Sequence, residues 1–215
     1  METDKVISLF FSFLSLIISS TTAWLTLFRK GKIKMTAPSL FFLGPDGSND
    51  DLKVYLKSLL YCTSNKGRLI ENMYVKLQRG ETSQNFNIWV HGEKDNLSRG
   101  SGLFVGQNGV VLNHHFLLPK DGSRFYLLAG NYKLNVYAMI VGENKGYLLE
   151  TIKFEISKTQ ENNLKEKGVG IFFDRGVDTI GYVSYVEMRK EKPDDLFESM
   201  LAFERVKRSD NPLGA

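Results

Sequence analysis

The sequence predicts a mainly β domain hung from one apolar helix at its amino terminus, and three observations carry that expectation. Val6 to Phe28 is an uncharged run of 23 residues, which at about 1.5 Å per residue spans the ~30 Å hydrocarbon core of a bilayer with some tilt. After Lys34, short runs rich in Val, Ile, Leu, Phe and Tyr are separated by clusters of Gly, Asn, Asp and Ser, the punctuation of strands and turns. Tyr132, Leu134, Val136, Ala138 and Ile140 then fall on one side of an extended chain with Lys133 and Asn135 on the other, followed by Ile152, Phe154 and Ile156 against Lys153 and Glu155. A period of two predicts a hairpin of half-buried strands. The 215 residues allow one helix and one domain with its own core. The expected division is a transmembrane helix at 6–28, a basic juxtamembrane linker at 29–37, an antiparallel β-sandwich at 38–190 and an amphipathic C-terminal helix at 193–208.

Within the first helix, Ser8, Ser12, Ser15, Ser19, Thr22 and Thr26 recur at spacings of four and three, a stripe of small hydroxyl side chains on one face. Two readings stay open. The hydroxyls bond back to carbonyls one turn earlier, or the stripe is a packing seam for a second copy or another helix. Trp24 reads as an interfacial anchor. The net charge is +4, and Arg29, Lys30, Lys32 and Lys34 cluster just after the helix, with only Lys5 before it. That asymmetry predicts an amino terminus outside and a cytoplasmic body, with the basic residues at the lipid headgroups. A cleaved signal peptide competes, because Thr21-Thr22-Ala23 offers small residues. Its n-region, however, pairs one lysine with Glu2 and Asp4, and the apolar run is long for an h-region.

Predicted strands are Ser39 to Leu43, Lys53 to Cys62, Asn72 to Gln78, Phe86 to His91, Leu103 to Val105, Val110 to Leu118, Phe125 to Leu128, Tyr132 to Val141 and Tyr147 to Ser157, with further β-like runs at Gly170 to Phe173 and Tyr182 to Met188. Lys158 to Lys167 is polar and reads as a solvated loop or short helix. Asp195 with Glu198 forms a capping box for the C-terminal helix, and Leu196, Phe197, Met200, Leu201 and Phe203 give it a broad apolar face. That face docks on the β-domain, a membrane surface or a partner.

No residue pattern demands chemistry. His91, His114 and His115 are the only histidines. If Val110 to Leu118 is a strand, His114 and His115 point to opposite faces and cannot clasp one metal. Ser98 to Gly102 is glycine-rich but lacks P-loop or dinucleotide-fingerprint spacing. Asp46 to Asp51 is oxygen-rich without an EF-hand pattern. Cys62 is the single cysteine and reads as a packed thiol, with no internal disulfide possible. Basic residues beyond the helix flank are interspersed with acids, so no nucleic-acid stripe is visible. The expectation is a non-enzyme without cofactor or metal: a membrane-tethered interaction or assembly module that binds an unknown protein or pairs through its helix. The alternatives are a histidine-containing hydrolase or ligand-binding enzyme, and an exported, surface-facing binding domain.

Ala129-Gly130-Asn131-Tyr132-Lys133-Leu134 resembles the tyrosine corner of immunoglobulin-like sandwiches, which implies that the Tyr132 hydroxyl bonds upstream backbone. Trp89 is the matching candidate for a core tryptophan. More broadly, Lys34 to Pro38 with Phe41 to Asp46, Gly100 to Val105, Asn113 to Pro119 and Ile171 to Asp174 resemble an uncharacterised bacterial family of single-span proteins whose helix leads directly into a β-domain. That resemblance implies an inner-membrane tether and no assigned activity.

Overall fold

The computed structural model describes residues 2–28, 30–46, 51–93, 96–100, 102–120, 125–166, 168–176 and 181–188. The predicted C-terminal helix and the topology residue Arg29 lie outside them. The chain begins with helix α1 (Glu2–Ala23) and a π-helical turn (Trp24–Phe28). It continues through β1 (Ile33–Met35), β2 (Leu40–Asp46), β3 (Asp51–Cys62), β4 (Arg68–Arg79), β5 (Thr82–Phe86), β6 (Ile88–His91) and β7 (Ser98–Arg99). Then come β8 (Leu103–Val105), β9 (Val110–Leu117), β10 (Gly130–Ile140), β11 (Gly146–Ile156), a short helix α2 (Lys158–Asn163), β12 (Val169–Arg175) and β13 (Tyr182–Met188).

The strands form two antiparallel sheets. The larger runs β13-β12-β2-β3-β9-β6-β7, with β1 beside β3; the smaller runs β11-β10-β4-β5, with β8 also on β4. The fold is therefore the mainly β, helix-led sandwich that the alternation predicts. Inward residues of both sheets build one core, from Phe41, Leu56, Trp89 and Phe116 on the larger to Val75, Leu134, Val136 and Ile152 on the smaller. At one end the sheets are joined by rings: Phe41 stacks on Phe173 at 4.4 Å, and Phe154 reaches Phe41 at 5.2 Å and Tyr132 at 5.3 Å. Each such pair adds about 0.5–1.5 kcal/mol beyond the area it buries.

Several segments depart from the expected boundaries. Phe86 to His91 is not one strand: it breaks at Asn87, where the chain leaves the smaller sheet as β5 and enters the larger as β6. Phe125 to Leu128 is not a strand. Its last residue spends both backbone groups on one side chain, since Leu128 N–H donates to the Tyr132 hydroxyl at 3.0 Å and that hydroxyl donates to Leu128 C=O at 2.7 Å. No ladder bond is left for a neighbouring strand. Ile33–Met35, inside the basic juxtamembrane stretch, pairs with Leu60–Cys62. Lys158 to Lys167, expected as a solvated loop or short helix, takes the second form over Lys158–Asn163, where Ser157 and Gln160 form a reciprocal capping box.

Candidate functional site

The first feature built from the sequence is the helix. Thr3–Phe28 is long and apolar enough to cross a membrane, and its side chains are exposed along its length. Three members of the hydroxyl stripe bond backward within the helix: Ser12 to Ser8 C=O at 2.9 Å, Thr22 to Ile18 C=O at 2.8 Å and Thr26 to Thr22 C=O at 2.7 Å. Back-bonding leaves their oxygens as acceptors and the stripe as a shallow, small-residue face.

The join between helix and sandwich has little slack. Lys32 N–H donates to Thr63 Oγ1 at 2.9 Å, Thr63 N–H returns to Lys32 C=O at 3.0 Å, and Arg68 donates to Gly31 C=O at 3.3 Å. Lys66 Nζ reaches back to the carbonyl of Leu27. Gly31 itself is buried, and a Cβ there would stand 2.5 Å from Ser64 Cβ and 2.6 Å from Cys62 Sγ. Only glycine lets the chain pass so close to this turn. Of the basic topology residues, Lys30 and Lys34 are exposed on either side of the pinned Gly31-Lys32 step.

Tyr132 occupies the corner its sequence context implies. Besides the paired bonds to Leu128, the next peptide is held on both sides: Ala129 N–H donates to Glu161 Oε2 at 2.8 Å, and Arg79 donates to Ala129 C=O at 3.1 Å. Lys158 donates to the Glu161 carboxylate at 2.7 Å, and this bond, with the Ala129 amide, brings its pKa down to about 2. Helix α2 thus clamps the corner against β4. Tyr132→Phe keeps the ring stack on Phe154 but strips both bonds from Leu128. It should cost about 1–3 kcal/mol in urea unfolding, and an unchanged midpoint would show the corner to be ornamental.

The histidines separate as strand geometry demands. His114 lies in the sandwich interior with 0% exposure, while His115 faces outward beside Tyr55, ring to ring at 5.0 Å. The structure brings His91 opposite His114 across β6 and β9, and sets the Trp89 ring 4.4 Å from His91. Trp89 Nε1 donates to His114 Nδ1 at 3.2 Å, which fixes the proton of the neutral ring on Nε2. His114 Nε2 and, one inward step away on β3, Ser58 Oγ are buried without a hydrogen-bond partner among the described residues. Burial, reinforced by His91 and then His115, pushes the His114 pKa down to about 3. Burial also lowers that of His91. A ring so placed stays neutral and serves Trp89. Among the described residues no group of three or more His, Cys, Asp or Glu is set to hold a metal, and Cys62 is buried.

The outward face of the smaller sheet carries a hollow of about 560 Å³ lined by Gln78, Asn131, Lys133, Lys153 and Glu155. Lys133 and Lys153 are directly opposed across β10 and β11. Further along the same face Thr151 donates to Asn135 at 2.8 Å, and Tyr74 stacks on Tyr137 at 4.9 Å. Amides, cations and ring faces on these strands offer hydrogen bonds and stacking to a ligand. Sequence reading missed this face because its members come from three strands whose register the sequence does not state.

Neither a protein-family model nor a curated protein sequence matches the chain. Among solved structures, a family 123 glycoside hydrolase from Clostridium perfringens, described in connection with glycolipid glycan hydrolysis, aligns at 10% identity over 60% of this chain and 27% of its own, with a TM-score of 0.29. A likeness at that level bears on neither activity nor substrate.

Proposed function

We propose that the protein is a membrane-tethered binding module: a single-pass inner-membrane protein of a bacterium that presents a sandwich of immunoglobulin-like type to a protein partner or to a second copy of itself. The observation that carries this reading is the exposed apolar helix joined to the sandwich through the pinned turn at Gly31 and Lys32. An apolar helix of that length, exposed along its described residues, supports a place in lipid. A domain held this close to its anchor meets membrane partners at raised effective concentration. The Tyr132 corner and the buried Trp89 support the immunoglobulin-like reading. Lys30, Lys32 and Lys34 after the helix, against Lys5 before it, support a cytoplasmic body.

The full chain is expected to stay in the membrane pellet through alkaline carbonate extraction, whereas a chain starting at Lys30 is released. Protease added to intact cells and to spheroplasts should leave the sandwich uncut until the membrane is opened. Digestion in spheroplasts would place the domain outside, and release of the full chain by carbonate would remove the anchor altogether. Crosslinking of the membrane-extracted protein should then capture a specific partner or a dimer; capture of neither counts against a binding module.

A further inference from the structure

An apolar row lies open to solvent at the end of the sandwich that meets the helix. Leu69 of β4 is in register with Phe104 of β8, and on its other side Val141 N–H, just past β10, donates to Leu69 C=O at 3.0 Å. Alternation turns all three outward. Their neighbours Ile70, Val105 and Ile140 enter the core, while Leu69, Phe104 and Val141 are 43%, 58% and 52% exposed. Single apolar side chains on a surface need no explanation, but three abreast make a patch. Tyr147 and Leu148, at the start of β11 in the same hairpin, are exposed as well.

Contacts, not only chain continuity, fix this end to the helix. Lys66 Nζ reaches the Leu27 carbonyl, and Arg68 donates to the Gly31 carbonyl at 3.3 Å. The residue between them, Gly67, lies against the Phe104 ring: a Cβ there would stand 2.4 Å from Phe104 Cζ. The turn that touches the last helical turn therefore carries Phe104. On the helix side of the junction Trp24 and Phe28 stack at 5.6 Å, both exposed. Lys30, Lys32, Lys66 and Lys145 are exposed at the same end. Of the acids nearby, Glu143 is paired with Arg68 and accepts from the Tyr147 hydroxyl, and Glu71 is exposed two residues beyond Leu69.

We propose that this end of the sandwich lies on the bilayer surface, with Leu69, Phe104 and Val141 entering the headgroup layer and Lys66 and Lys145 set against anionic phosphates. The proposal rests on the membrane tether proposed above and adds a second contact, made by the domain itself. With the helix in lipid, the turn at Lys66 and Gly67 stands one side chain away from the interface, the level at which aromatic rings and lysines collect. Apolar side chains rimmed by cations suit a contact that lies on a membrane rather than crossing it. A protein partner or a second copy would have to reach this row past the headgroups.

The test uses the full chain, one per lipid nanodisc of phosphatidylcholine and phosphatidylglycerol. A nitroxide sits on one introduced cysteine, with labelling kept brief so that buried Cys62 stays unreacted. The sites are Phe104→Cys, Val141→Cys, Leu16→Cys within the helix, and Tyr126→Cys, exposed near the Tyr132 corner at the opposite end. Phe104→Cys and Val141→Cys should lose most of the relaxation caused by a water-soluble nickel chelate and gain relaxation by oxygen, as Leu16→Cys does, while Tyr126→Cys keeps the chelate's effect. Chelate relaxation at Phe104→Cys and Val141→Cys equal to that at Tyr126→Cys, with Leu16→Cys still in lipid, would overturn the surface contact and leave the tether standing. Chelate reaching Leu16→Cys as well would overturn the tether itself. Protection that appears only in discs carrying two chains would overturn the proposal in favour of a second copy. If either outward variant does not fold, Lys145→Cys, which removes no apolar side chain, takes its place.

Discussion

Acidifying the protein from pH 7 to pH 4 is expected to weaken the sandwich steeply, and His114 is the reason. Its pKa is about 3 in the fold, because the ring is buried and faces His91 and His115. An exposed histidine titrates near 6.5. Between those values the unfolded chain binds a proton that the folded chain refuses, so the stabilisation present above about pH 6.5 is lost progressively as pH falls toward 3. The slope is about 1.4 kcal/mol per pH unit, several kcal/mol by pH 4, a large part of an ordinary domain's margin of about 5–15 kcal/mol. His91, also lowered by burial, adds to it in the same direction. Urea midpoints at pH 7.5, 6, 5 and 4 measure the effect. His114→Asn, whose side-chain oxygen takes the place of Nδ1 as acceptor for Trp89, should be less stable at pH 7.5 through lost volume but should flatten the decline below pH 6. An unchanged slope in that variant would assign the acid sensitivity to other groups.

The second large effect is expected at Gly31. A valine there drives side-chain atoms into Ser64 and against the Cys62 thiol, and a neighbour only 2.8 Å from its Cβ is the Ser64 backbone nitrogen, which cannot swing away. Overpacking of this kind costs about 1–3 kcal/mol. It also dislodges the turn that bonds Lys32 to Thr63 and pairs Ile33 with Cys62. Gly31→Val should therefore lower the urea midpoint and expose the buried thiol, read as faster maleimide labelling of Cys62. Wild-type labelling and midpoint would mean that the junction yields without cost.

The parts of the molecule that were legible in advance are those whose burial leaves a local period. Tyr132 to Ile140 alternates because each second residue enters the core, and a hairpin partner with the same alternation follows it. Tyr132 was legible for another reason: a corner is a local motif, and its partner Leu128 is four residues away. Thr82 to Asn85 gave no such signal. As the edge of the smaller sheet it buries only Phe86, so its polar sequence reads as loop. The change of sheet at Asn87 was hidden because Phe86 and Trp89 both face the core, each from its own sheet. Pairings set by register, such as His91 with His114 or Lys133 with Lys153, join residues far apart in sequence, and no periodicity encodes register between distant strands. The contact of the Phe42 ring with Gly44 and Gly170 was invisible for the same reason, since both are ordinary turn-like glycines until the register lays one ring over them.

The tight turn after the helix also sets a scale. Between Phe28 and the first strand residue, Ile33, only four residues intervene, about 14 Å of chain at full stretch, and two of them are hydrogen-bonded into the sandwich. On the membrane tether proposed above, the domain would drift with its lipid, so its search would be planar, confined to a layer one sandwich deep, and its encounters would scale with how densely that membrane is populated rather than with concentration in bulk solution.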